Sequence, residues 1–151
     1  MKLYDKYFPE ESRKQIEAAI GVAEKKTSGE IRLFIENQCK EDVLDRAAFV
    51  FTEMKMDETA ERNGVLFYLA IESRKFAILG DAGINTKVPA DFWNQIKEEM
   101  QKYLKTHEFV AGLVTGIRMA GEALEKYFPY QNGDTNELSD EIVFGDRRKK
   151  K

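Results

Sequence analysis

Three short stretches carry side chains whose types could hold a divalent cation: Thr27-Ser28-Gly29-Glu30, Arg62-Asn63-Gly64 and Gly80-Asp81. Glu30 and Asp81 supply carboxylates, Asn63 supplies an amide oxygen, and Thr27 and Ser28 supply hydroxyls. Two carboxylates and an amide form a hard-oxygen set, which suits calcium or magnesium. The same residues allow a plainer outcome, in which Arg62 pairs with Asp81 or Glu30 and Asn63-Gly64 makes a turn. Residue types alone leave both readings open.

The order of elements is what would bring these stretches together. A first helix is expected from about Pro9, with Glu10 and Glu11 favouring its positive end. Ile16, Ala19, Ile20 and Ala23 recur at helical spacing, and Thr27-Ser28-Gly29 should end the helix with Gly29 in the left-handed conformation. Residues 30–36 read as a strand, with Ile31, Leu33 and Ile35 on one face and Phe34 on the other. Asp42 can cap a second helix that turns Leu44, Ala47, Ala48, Phe51 and Met54 inward, and residues 55–63 are a polar connection. Residues 65–71 are seven apolar residues without alternation, as expected of a strand buried on both faces. A polar turn at 72–75 leads back through residues 76–79 as a hairpin. If the first two strands are parallel, the helical crossover sets their starts at one sheet edge, and the hairpin returns its second arm to that edge. Glu30, Arg62, Asn63, Gly80 and Asp81 then converge.

Two further helices are expected, over about residues 89–105 and 108–128. The second carries Gly112, Gly116 and Ala120 four apart, a smooth stripe suited to close packing. Residues 141–144 offer a short edge strand. Helix, strand, helix, hairpin, helix, helix predicts an α/β fold: a three-layer α/β/α sandwich, a mixed sheet with helices on both faces.

Composition narrows the function. The 151 residues suffice for one domain, here taken as residues 1–146, with 130–146 an acidic C-terminal segment and 147–151 a basic tail. Without Arg147, Arg148, Lys149, Lys150 and Lys151 the chain has 19 basic and 27 acidic residues, a formal charge of −8, which disfavours general nucleic-acid binding. One cysteine, Cys39, and one histidine, His107, exclude a disulfide framework and His-rich or Cys-rich metal sites. No run is long and apolar enough to span a bilayer, and the first residues lack a signal-peptide core, so a cytoplasmic protein, taken as a monomer, is expected. The glycines from Gly80 to Lys87 lack P-loop spacing, no G-x-S-x-G elbow occurs, and Cys39 to Arg46 is one residue too long for a cysteine-phosphatase loop. The acidic stretch with Asp134, Asn136, Glu137, Asp140 and Glu141 is rich in oxygen donors but does not follow the EF-hand pattern.

Taken in order, Thr27-Ser28-Gly29-Glu30-Ile31, Arg62-Asn63-Gly64-Val65-Leu66 and residues 78–84 resemble the TPM domain, a phosphatase-like domain of thylakoid-lumen, photosystem-repair and MOLO proteins. Asp91-Phe92-Trp93, the glycine-bearing helix, Tyr127-Phe128-Pro129 and Asn136-Glu137-Leu138 extend the resemblance over about residues 10–142. It implies an α/β/α sandwich with calcium at an acidic site, and acid-phosphatase activity in some members. Carried onto this chain, it implicates Glu30, Arg62, Asn63, Gly80 and Asp81, together with Asp91, Glu137 and Asp140. The leading expectation is a calcium-binding, non-catalytic domain that recruits or regulates a protein partner, with magnesium as the other cation. The alternatives are a weak metal-dependent phosphatase and a metal-free structural interaction domain.

Overall fold

The computed structural model describes residues 3–130 and 141–145. Its elements in chain order are α1 (Leu3–Tyr7), α2 (Glu10–Glu24), β1 (Glu30–Glu36), α3 (Val43–Glu53), a 3-10 turn (Met56–Glu58), β2 (Gly64–Ala70), β3 (Lys75–Gly80), α4 (Ala82–Asn85), α5 (Phe92–Leu104), α6 (Phe109–Tyr127) and β4 (Val143–Phe144).

The strands form one sheet in the order β3-β2-β1-β4. β1 runs parallel to both β2 and β4, and β2 and β3 form the antiparallel hairpin. Every residue of β2 is buried, as its unbroken apolar run requires of a strand covered on both faces. Ile31, Leu33 and Ile35 of β1 join Val65, Phe67 and Leu69 of β2 in a core under α2, α5 and α6. The opposite parity, Leu66, Tyr68 and Ala70, packs with Cys39, Ala47, Val50, Phe51 and Met56 beneath α3. The mixed α/β/α sandwich is therefore as expected. The glycine stripe of α6 serves close packing. A side chain at Gly112 would meet Leu104, and one at Gly116 would lie 2.5 Å from Met100 Sδ and 2.9 Å from Phe67.

Several details differ from the sequence reading. Gly29 is not in the left-handed region; its missing side chain makes room for Leu124, whose Cδ2 would lie 2.7 Å from a Cβ. The helix before it already ends at Glu24. Leu44 and Ala48 point outward, and the inner face of α3 is Arg46, Ala47, Val50 and Phe51. The stripe is turned because Arg46 is drawn inward to Glu36. Asp42 does cap α3, its Oδ1 accepting from the amides of Leu44 and Asp45. The short helices α1 and α4 were not expected, since four or five residues are too few to show a helical period. Among the described residues no helix is long and apolar enough to cross a membrane.

Candidate functional site at the strand ends

The convergence expected at one sheet edge is present. The register pairs Glu30 with Gly64 and Val65 with Gly80. Main-chain bonds extend it: Glu30 N donates to Asn63 O, Asp81 N to Gly64 O at 2.9 Å, and Gly83 N to Arg62 O at 2.8 Å. Strand alternation sets Glu30 and Asp81 on the α3 face, with Gly64, which has no side chain, between them. A Cβ on Gly64 would lie 3.0 Å from Met56 O, so this glycine lets the 3-10 turn close over the edge.

Arg62 takes the ion-pair role. Its Nε donates to Asp81 Oδ2 at 2.6 Å and its Nη2 to Asp81 Oδ1 at 2.8 Å, a bidentate fork. Asp81 Oδ1 also accepts from Ala82 N at 2.7 Å, capping α4. The Arg62 guanidinium pKa is raised above its ordinary value, first by its hydrogen bond and charge contact with Asp81, with a smaller contribution from Asp57. Its backbone is left-handed, at φ 52°, a region that a bulky side chain seldom adopts.

Asn63 is 1% exposed. Its amide N donates to Thr59 Oγ1 and its Nδ2 faces Ser28 Oγ at 3.5 Å. The Ser28 hydroxyl proton goes to Glu61 Oε2, so Ser28 can only accept from Asn63. That orientation turns Asn63 Oδ1 away from Ser28, and this buried oxygen accepts no hydrogen bond. Asp57 Oδ1, in the adjoining 3-10 turn, is likewise buried without a donor. Asp57 and Glu61 were not among the expected site residues, because the stretch 55–63 reads only as a polar connection. Its density of acidic residues was the available signal.

The other candidates fall elsewhere. Thr27 is structural: its single hydroxyl proton is shared between Phe128 O, the nearer acceptor, and Leu124 O at 3.0 Å, and its oxygen accepts from Gly29 N, tying the end of α6 to the start of β1. Gly80 is required by packing, since a Cβ there would lie 2.4 Å from the Trp93 ring. Asp91 is exposed at the start of α5 and accepts from Gln95 Nε2 rather than from strand-end groups. Glu137 and Asp140 lie outside the described residues, as does the basic tail. Among the described residues no group of three or more His, Cys, Asp or Glu side chains is arranged to hold a metal ion. A cation here would therefore depend on amide and main-chain oxygens as well as carboxylates. Two buried oxygens without donors adjoin the Arg62 corner, Asn63 Oδ1 one residue along the chain and Asp57 Oδ1 on a residue whose charge acts on Arg62, and they are hard donors of the type calcium takes.

A second polar cluster, also unexpected, lies at the far end of β1. Arg46 Nε and Nη2 donate to Glu36 Oε2 and Oε1 at 2.8 and 3.0 Å, and the Tyr68 hydroxyl donates to Glu36 Oε2. Burial, followed by the Glu36 contact, raises the Tyr68 pKa well above the ordinary phenol value.

Comparison with known proteins supplies the lineage. The sequence model of the TPM domain matches residues 2–123. The chain belongs to the TPM domain family. This TPM domain is similar to the BA42 protein of the psychrophilic bacterium Bizionia argentinensis, solved by NMR, at 48% identity over 89% of this chain and 93% of that one, with a TM-score of 0.84. It also shares a fold with the N-terminal domain of the cg2496 protein of Corynebacterium glutamicum, at 13% identity over 76% and 72% of the two chains and a TM-score of 0.61. Among curated proteins none matches.

Proposed function

We propose that this TPM domain is a calcium-binding, non-catalytic module, acting as a cytoplasmic monomer that regulates or recruits a protein partner. The cation site would be the strand-end edge, with Asp81, Asn63 Oδ1 and Asp57 Oδ1 facing the ion and the Glu30 carboxyl on the same sheet face as Asp81. The observation that carries the reading is the buried Asn63 Oδ1 that accepts no hydrogen bond. Such an atom costs about 1–3 kcal/mol, and a bound cation would supply the missing partner. Calcium is preferred to magnesium because the oxygens come from a 3-10 turn, a left-handed corner and a helix cap. Calcium tolerates an irregular shell, whereas magnesium demands near-octahedral geometry.

Titration calorimetry of the purified chain with calcium chloride tests this. Saturable one-site binding that is lost in Asp81→Asn, with weaker binding of magnesium, is expected. No binding up to millimolar calcium would end the proposal.

The bidentate Arg62–Asp81 pair favours one other reading, a metal-free interaction domain in which Asp81 is a helix cap held by its arginine. In that case Asp81→Asn would lower the melting temperature equally in chelator and in calcium.

A further inference from the structure

We propose that Arg62 is a built-in competitor of the cation: its guanidinium holds the Asp81 carboxylate until a divalent ion displaces it. The inference rests on the calcium-binding reading above and concerns how that site is regulated.

Three observations carry it. First, the guanidinium engages both oxygens of Asp81, so an ion ligated by that carboxylate must share it with Arg62 or expel Arg62. Secondly, only the head of the side chain is tethered. The Arg62 side chain is 51% exposed, while its backbone is fixed by Arg62 N to Thr59 O and by Gly83 N to Arg62 O. The head can swing into water without disturbing the corner that holds Asn63. Thirdly, Arg62 is an incomplete substitute for a cation. It satisfies Asp81 yet leaves the neighbouring Asn63 Oδ1 and Asp57 Oδ1 without donors. A divalent ion has twice its charge and accepts several oxygen ligands at once.

Two consequences follow. Apparent calcium affinity is set below the intrinsic affinity of the oxygens, because each binding event must break the fork. Binding also releases a positively charged side chain at the surface beside the site, which changes the face shown to a partner.

The test is calcium chloride calorimetry on the full chain as wild type, Arg62→Gln and Arg62→Lys, with NMR observation of the Arg62 Nε–H resonance in the wild type. Gln removes the competing charge and should bind calcium at least about fivefold more tightly, on the scale of one unit charge a few ångströms away in water. Lys keeps the charge but not the fork and should fall between the wild type and Gln. The Nε–H resonance should move to a free, fast-exchanging position as calcium saturates. If the wild type binds calcium but Gln binds no more tightly, or the resonance does not move at saturation, the competition is refuted and the site stands. If neither folded protein binds calcium, both are refuted. Should Arg62→Gln fail to fold, the wild-type resonance alone decides.

Discussion

Gly83 offers the sharpest test of how the candidate site is built. It lies inside α4, where alanine would ordinarily be favoured over glycine by about 1 kcal/mol. A Cβ at this position would sit 2.1 Å from Glu61 O and 2.6 Å from Arg62 O. Both are main-chain atoms, so no rotamer change relieves the overlap. Either α4 or the 55–63 connection must move by about 1.4 Å, since ordinary contact needs roughly 3.5 Å. That movement stretches the 2.8 Å bond from Gly83 N to Arg62 O. Overpacking of this kind costs about 1–3 kcal/mol and the loss of this partly exposed hydrogen bond up to about 1 kcal/mol more. Against the helical gain, Gly83→Ala should be destabilised by a net of about 2 kcal/mol, which in a chain of this length is roughly 4–8 °C in melting temperature. Urea denaturation should show a lower midpoint with an unchanged slope. The Gly83→Ala protein should also bind calcium more weakly, because the corner carrying Arg62 and Asn63 is displaced. A variant as stable as the wild type would refute the close approach of α4 to this corner.

Arg46→Met should cost about 3 kcal/mol, since it removes the arginine partner of the buried Glu36, whereas Leu44→Ala on the outer face of the same helix should stay within about 0.5 kcal/mol; chemical denaturation separates the two. The folded pKa of Tyr68 lies above its unfolded value near 10, so its contribution is complete below about pH 10 and is lost above it as the unfolded phenol ionises. Wild-type stability should therefore fall between pH 10 and 12 about 1.4 kcal/mol per pH unit more steeply than that of Tyr68→Phe in urea melts. A non-catalytic role predicts that aryl-phosphate turnover in calcium or magnesium stays at background and does not change in Asp81→Asn; turnover that falls in this variant would support the phosphatase alternative.

The sheet and the position of its edge were legible because they depend on coarse patterns. The seven apolar residues from Val65 suggest a doubly covered strand, and the helix between β1 and β2 suits a parallel pair with aligned starts, which the structure has. The juxtaposition of Glu30, Gly64 and Asp81 follows from those two facts. What periodicity could not show was which polar groups would be satisfied. Whether Arg62 takes Asp81 or Glu30 depends on a left-handed corner that no glycine marks. The unpaired state of Asn63 Oδ1 depends on which way a serine proton points. The inward position of Arg46 was not legible either, since nothing marks a buried charge until its partner, ten positions earlier in a strand, is known. Thr27 and Gly80 have structural roles instead, Thr27 in hydrogen bonds to the end of α6 and Gly80 in close packing against Trp93.

The central claim is that calcium enters the strand-end edge. Its most direct test is an amide NMR titration of the wild-type chain with calcium chloride. The account predicts saturable shifts confined to residues 28–30, 57–64 and 80–83. Unmoved amides in these three stretches at saturating calcium, or shifts centred instead on Glu36 and Arg46 at the other end of β1, would contradict it.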